Sequence, residues 1–172
     1  TILKNELENH YIHHLPSLLD QSSPIQEQKK KNIDRAFSAF TLRAICSVPV
    51  REVAQSVIDD FNDNGIDAIY FEKNSKVLYL VQSKLEAKDF REPEAQTFVE
   101  GLRLILNSQF SAFNQNVLNR QFEIQSALHD AEKIVLVVCY TGNQVSMHAK
   151  DCLKRFIESE SQNEDRLQSD VI

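Results

Sequence analysis

The sequence predicts an α/β fold: a small mixed β-sheet flanked by helices, with an added helical segment at the N-terminus. Three observations carry this. Apolar residues recur three and four apart through several long stretches, the period of a helix with one buried face. Residues 66–72 and 76–83 are two β-rich runs around a polar break, the pattern of a hairpin. Residues 134–140, Ile-Val-Leu-Val-Val-Cys-Tyr, are continuously apolar, as in a strand buried on both faces.

Taken in order, Ile2, Leu3, Leu7, Tyr11, Leu15, Leu18 and Leu19 mark a helix over residues 2–20 that Pro16 can break. Residues 1–22 thus form the N-terminal helical segment. Asp-Gln-Ser-Ser-Pro at 20–24 is a turn and a helix start, with Ser23 as the expected cap, Pro24 in the first turn and Glu27 supporting it. The helix it starts runs to about residue 45. Pro49 restarts the chain, and residues 50–56 read as helical. Val57-Ile58 either ends that helix or forms a short strand. Asp-Asp-Phe-Asn-Asp-Asn-Gly at 59–65 is a polar turn before the hairpin. Helices are expected over 93–106, 113–128 and 145–158. A polar tail, 161–172, closes the chain, and disorder is expected after Ser159.

The 172 residues suit one domain and can bury a sizeable core. A formal net charge of −6 argues against non-specific nucleic-acid binding by bulk charge. A nucleic-acid substrate would need a local basic path or a metal. The three cysteines form no Cys-x-x-Cys pair, which argues against a thiol metal or redox motif and suits a reducing compartment. No apolar run is long enough to cross a bilayer, so a soluble, cytoplasmic chain without membrane partners is expected. The first residue is Thr1 rather than Met, so a fragment of a longer protein is also expected.

The polar residues at the strand ends carry the chemistry. Side chains alternate along a strand, so Gln82 and Lys84 project to one side and Ser83 to the other. Across a hairpin turning near 73–75, Asp67 lies roughly opposite, so all three converge at one end of the sheet. Gly65, one of three glycines, would allow a bend or close approach there. A carboxylate and an amide oxygen are hard ligands suited to Mg²⁺ or Mn²⁺. An ammonium beside them can position water or offset charge developing on phosphorus. The blander readings are a strand-edge acid, a satisfied amide and a solvated lysine. An acid in an apolar run is costly without a partner, which weighs against them.

Asp67, fourteen intervening residues and Gln82-Ser83-Lys84 resemble the P-D-(D/E)-x-K signature of restriction-endonuclease-like nucleases, in the Q-x-K form of Mrr-type enzymes. More narrowly, Asn-Asp-Asn-Gly-Ile-Asp-Ala-Ile-Tyr-Phe and Leu-Tyr-Leu-Val-Gln-Ser-Lys are similar to the N-terminal nuclease region of the abortive-infection phage-resistance (AIPR) proteins. Asp-Arg-Ala-Phe-Ser-Ala-Phe-Thr-Leu upstream and Phe-Val-Glu-Gly-Leu downstream add to the likeness, which spans about residues 34–106. The bare spacing is weak; the two strand phrases together are much more specific. The resemblance implies a restriction-endonuclease-like domain over 23–160 and an Mg²⁺- or Mn²⁺-dependent endonuclease acting in phage defence. It implies Asp67, Gln82 and Lys84 as catalytic residues and Asp67 and Gln82 as metal ligands. The implied substrate is nucleic acid, DNA ahead of RNA. A homodimer and a missing C-terminal domain are further expectations. The alternative is a catalytically inactive binding or dimerisation module of a larger defence protein.

Such nucleases often add an acid from the preceding helix, for which Asp34 and Glu52 are the candidates. Asp63 reads first as a turn acid and second as an outer-shell group. Asp60-x-Asn62-x-Asn64-Gly65 begins like a calcium loop, but Phe71 stands where the closing Glu belongs. His10, His13 and His14 read as surface or interface groups. Lys29, Lys30, Lys31, Lys88 and Arg91 could touch phosphates if they border the site.

Overall fold

The computed structural model describes residues 1–85, 89–161 and 164–167; Lys88 lies outside them. Its core is a three-stranded sheet in the order β1-β2-β3: β1 (Ala68–Glu72), β2 (Val77–Lys84) and β3 (Lys133–Tyr140). β1 and β2 form the expected antiparallel hairpin, with Ala68 opposite Val81 and Glu72 opposite Val77. β2 runs parallel to β3, with Gln82 beside Val138 and Lys84 beside Tyr140. A parallel pair requires a long crossover. α4 (Glu92–Leu106), α5 (Gln115–Asn119) and α6 (Gln121–Asp130) supply it.

Alternation along the strands sends side chains into two cores. Tyr70, Tyr79, Val81 and Cys139 face α1 (Ile2–His10), α2 (Ile25–Ile45) and α3 (Val50–Gln55), packing with Leu7, Phe37, Leu42 and Val53. Ile69, Leu78, Leu80 and Val138 face α4, α6 and α7 (Met147–Glu160), packing with Phe98, Leu102, Ile124 and Phe156. A fully buried leucine or phenylalanine contributes roughly 1.5–3 kcal/mol by leaving water. The mixed α/β expectation therefore holds, as helices on both faces of a small mixed sheet.

Several boundaries differ for local reasons. The first helix stops at His10, and a 3₁₀ turn at Ile12–His14 leads to an extended Leu15 before Pro16. Ser23 does not cap α2: Pro24 holds the cap position, no side chain caps it, and the Ser23 hydroxyl is buried without a partner. Val57 belongs to neither alternative; it makes one bridge to Ala68 on the outer edge of β1. The helix expected over 113–128 is two helices. Asn114 caps α5 by accepting from the Asn116 and Val117 amides, and the chain breaks at Arg120. There the guanidinium donates to the carbonyls of Ser56 (3.1 Å) and Ile69 (2.9 Å), tying the break to β1. Among the described residues β3 is the last strand of the sheet, and of its residues only Ile134 is fully buried, so burial on both faces does not hold along its length. Within the tail, Leu167 is buried and bridges Ile134. Among the described residues no helix is long and apolar enough to cross a membrane.

Candidate metal centre

The 59–65 loop is shaped by its short polar side chains, which tolerate the left-handed backbone and cap their own turns. Asn62, Asn64 and Gly65 have φ of 55°, 53° and 75°. Asp60 accepts the Phe61 amide (2.8 Å) and the Leu19 amide (2.9 Å), and Asp63 accepts the Gly65 amide (2.8 Å). At Gly65 an added Cβ would lie 3.0 Å from Thr97 Cγ2 and 3.2 Å from the Phe98 nitrogen, so both the φ and the space require glycine. A Cβ on Gly101 would collide with the Asn64 carbonyl. Two glycines thus seat the loop directly on α4.

The loop delivers three carboxylates to one place. Asp59, Asp63 and Asp67 each offer an oxygen within 4.8 Å of the others. Asp67 immediately precedes β1. Its carbonyl accepts the amides of Ile58 (2.8 Å) and Asp59 (3.0 Å), which pins the start of the loop to its end. Its Oδ2 accepts the Ser83 amide at 2.6 Å, which fixes the carboxylate against β2. One step past the Ala68–Val81 pair, Asp67 falls beside Gln82. Both are nine-tenths buried, Asp67 at 9% exposure and Gln82 at 8%, and Gln82 Oε1 has no hydrogen-bond partner. Lys84, half-buried, follows two residues on along the same face.

Like charges under poor solvation favour the protonated acid. Burial, then Asp59, hold the Asp67 carboxyl well above the ordinary carboxylate range, against the pull of the Ser83 amide and Lys84. Burial and then Asp63 push Asp59 up to about 7, opposed by the nearby Arg35. Asp63 is raised by burial, against its bond from Gly65. Arg35 is itself buried. It donates to the Asp59 carbonyl (2.9 Å) and to Asn32 Oδ1 (2.9 Å), which fastens the loop to α2.

The sequence-predicted residues separate cleanly. Asp67, Gln82 and Lys84 come together. Asp63 joins as a member of the carboxylate trio, closer in than an outer-shell group. Asp34 stands outside the trio, on a cleft of about 320 Å³ that it shares with Arg35, Lys31, Asp59 and Asp60, and its charge adds to the rise on Asp59. Glu52 is on the opposite face, accepting the Tyr70 hydroxyl at 2.7 Å. Lys29 pairs with Glu8 at 3.0 Å, whereas Lys31 lines the cleft. Arg91 is exposed just ahead of α4. His10 lies 3.7 Å from Glu6, and the rings of His13 and His14 are 4.0 Å apart, with neither pair part of the trio. Asp59 and Arg35 were not foreseen. The four-residue spacing of Asp59, Asp63 and Asp67 was the available signal.

The donor set fits a hard divalent cation. Its acceptors are three carboxylates and an amide oxygen, all oxygen and mostly anionic. The Gln82 oxygen is the sharper point: a buried acceptor without a donor is costly, and a cation would satisfy it. Compared with family models, curated proteins and solved structures, the chain finds no match in any of the three.

Proposed function

We propose that the chain is a divalent-metal-dependent nuclease that hydrolyses phosphodiester bonds in nucleic acid. The observation that carries this is the unpartnered Gln82 Oε1 on the residue opposite Asp67, whose carboxylate clusters with those of Asp59 and Asp63. These four groups would hold Mg²⁺ or Mn²⁺. A bound ion of this kind polarises a phosphoryl oxygen and makes a water more acidic. Asp67, clamped by the Ser83 amide, keeps its geometry without substrate. Lys84 supplies the positive charge at the end of β2, where an ammonium can orient water and offset charge developing on the phosphate.

The succession of α2, hairpin, α4 and a parallel β3 supports a restriction-endonuclease-like core. A role in phage defence rests on the resemblance of the strand phrases to AIPR proteins. With a net charge of −6, a bound cation would help to offset the repulsion of a polyanion as well as to cut it. DNA stands ahead of RNA as substrate on the same resemblance.

The test is cleavage of end-labelled DNA and RNA with Mg²⁺, Mn²⁺ or EDTA, using the parent, Asp67→Ala and Lys84→Ala. Metal-dependent cutting by the parent alone is the expected result. Equal cutting by all three overturns the assignment. A second reading, a module that binds without cutting, is favoured by the burial of Asp67 and Gln82. It predicts retention of nucleic acid with every metal and no product with any.

A further inference from the structure

Glu94 is a carboxylate that the sequence reading gave no role. It lies in the first turn of α4. Thr97 and Phe98, which meet Gly65, and Gly101, which receives the Asn64 carbonyl, follow at steps of three and four. Residues so spaced share one side of a helix. Glu94 therefore stands on the side of α4 that carries the acidic loop. The start of that helix is clamped to the sheet, since Ala95 is buried with Phe90 and Ala149 against Val138 and Tyr140.

In that position Glu94 Oε2 is buried and has no hydrogen-bond partner. Glu92, on the same turn, behaves ordinarily by accepting from Gln96 at 3.2 Å. Tyr140 places the start of α4 near the end of β2, since it packs on the cluster that holds Ala95, the residue after Glu94. It pairs with Lys84 across β2 and β3, and its hydroxyl is held above its usual range by burial, then Asp67, then Glu94. One phenol thus feels both carboxylates. Gln82 Oε1 and Glu94 Oε2 are both buried acceptors without donors, one from the sheet and one from the helix above it. An unsatisfied acceptor opposite Asp67 and another on the loop side of α4 are buried costs that a cation could offset.

We propose that Glu94 supplies a further ligand to the divalent-cation site of Asp59, Asp63, Asp67 and Gln82, reaching it from α4. The inference rests on the metal-centre reading above. A small hard cation prefers six oxygens, and the loop and β2 offer four groups. A fifth from α4 would close the helix side of the site, and one of the five would give way for both a water and a phosphate oxygen to bind.

The experiment titrates Mn²⁺ alone into the full chain and follows the free-ion signal by electron paramagnetic resonance, with thermal melts to confirm folding. Glu94→Gln is expected to weaken Mn²⁺ binding by at least about tenfold, the lower end of the cost of losing even an outer-shell partner. Glu100→Gln, an exposed change on the same helix, is expected to leave it unchanged. Parent-like binding by Glu94→Gln, with binding lost in Asp67→Asn, overturns the role of Glu94 and leaves the centre standing. Absence of binding by the parent overturns both. If Glu94→Gln loses its native melt, Glu94→Asp replaces it: weakened binding supports the ligand, and parent-like binding overturns it.

Discussion

The strand side chains on the two faces of the sheet are treated in opposite ways, although Ser23 Oγ just before α2 and Arg35 Nη2 within it are also buried without partners. On the face under α2 and α3, Ser83 meets Ser38 with hydroxyl oxygens 2.8 Å apart, Tyr70 donates to Glu52, and Thr41 donates to the Phe37 carbonyl at 2.9 Å. At the end of the α4 face, three carboxylates crowd together, and Gln82 Oε1 and Glu94 Oε2 accept nothing. A paired buried group is fully explained by folding. An unpaired acceptor is a cost that folding alone does not offset, and a ligand can. Gln82 and Ser83 make the contrast within adjacent residues: one side chain is satisfied and the other is not.

The largest test of that contrast is catalytic. Lys84→Met should lower the rate of metal-dependent cleavage by about a hundred- to a thousandfold, the usual cost of losing one group that stabilises developing charge. Mn²⁺ affinity should change far less, since lysine is not a ligand. Single-turnover kinetics beside a Mn²⁺ titration separate the two. Equal loss of both would make Lys84 a support of the site rather than an actor in it.

The next effect is thermodynamic and depends on pH. Asp59 is raised to about 7, and Asp63 and Asp67 are also raised, all from 3.8. Between those limits the folded chain keeps protons that the unfolded chain has released. The Asp59 contribution is complete below pH 3.8 and is lost as pH rises through about 7, and those of Asp63 and Asp67 are lost in the same direction, as pH rises. A divalent cation replaces the protons, so its stabilisation should be small at pH 5.5 and large at pH 8. At about a hundred times its Kd it is worth about 2.7 kcal/mol. That raises Tm by about 5–10 °C in a chain of this size. Melts with Mn²⁺ and with EDTA at the two pH values check it. Without metal, Asp67→Asn should melt above the parent at pH 8, because the amide still accepts from Ser83 and a crowded charge is gone. An equal metal shift at both pH values would break the contrast.

How much of this could be read beforehand depended on whether a residue's surroundings were local. The hairpin and the convergence of Asp67, Gln82 and Lys84 were legible, because strand alternation projects polar groups at apolar strand ends to known sides. Asp59 was not. In Asp-Asp-Phe-Asn-Asp-Asn-Gly every acid looks solvated, and only the left-handed turns at Asn62 and Asn64 bring residue 59 back to residue 67. Glu94 reads as an ordinary helix-start acid until Gly65 and Gly101 seat the loop on α4. The break at Arg120 was hidden for the same reason, since its cause is two carbonyls more than fifty residues away.

The smallest effect belongs to the satisfied face and shows whether the distinction is real. Tyr70→Phe removes the hydroxyl that Glu52 accepts, while the ring stays buried. Glu52 is exposed and can turn to water, so no charge is stranded. The loss should be that of one hydrogen bond, about 1 kcal/mol, or about 2–4 °C in Tm. Mn²⁺ affinity and its pH dependence should match the parent, because Tyr70 and Glu52 lie across the sheet from the carboxylates. A weakened Mn²⁺ site in this variant would show that the two faces are coupled through β1. The unpaired acceptors would then report a sheet held in tension from both sides, rather than a site waiting for a cation on one.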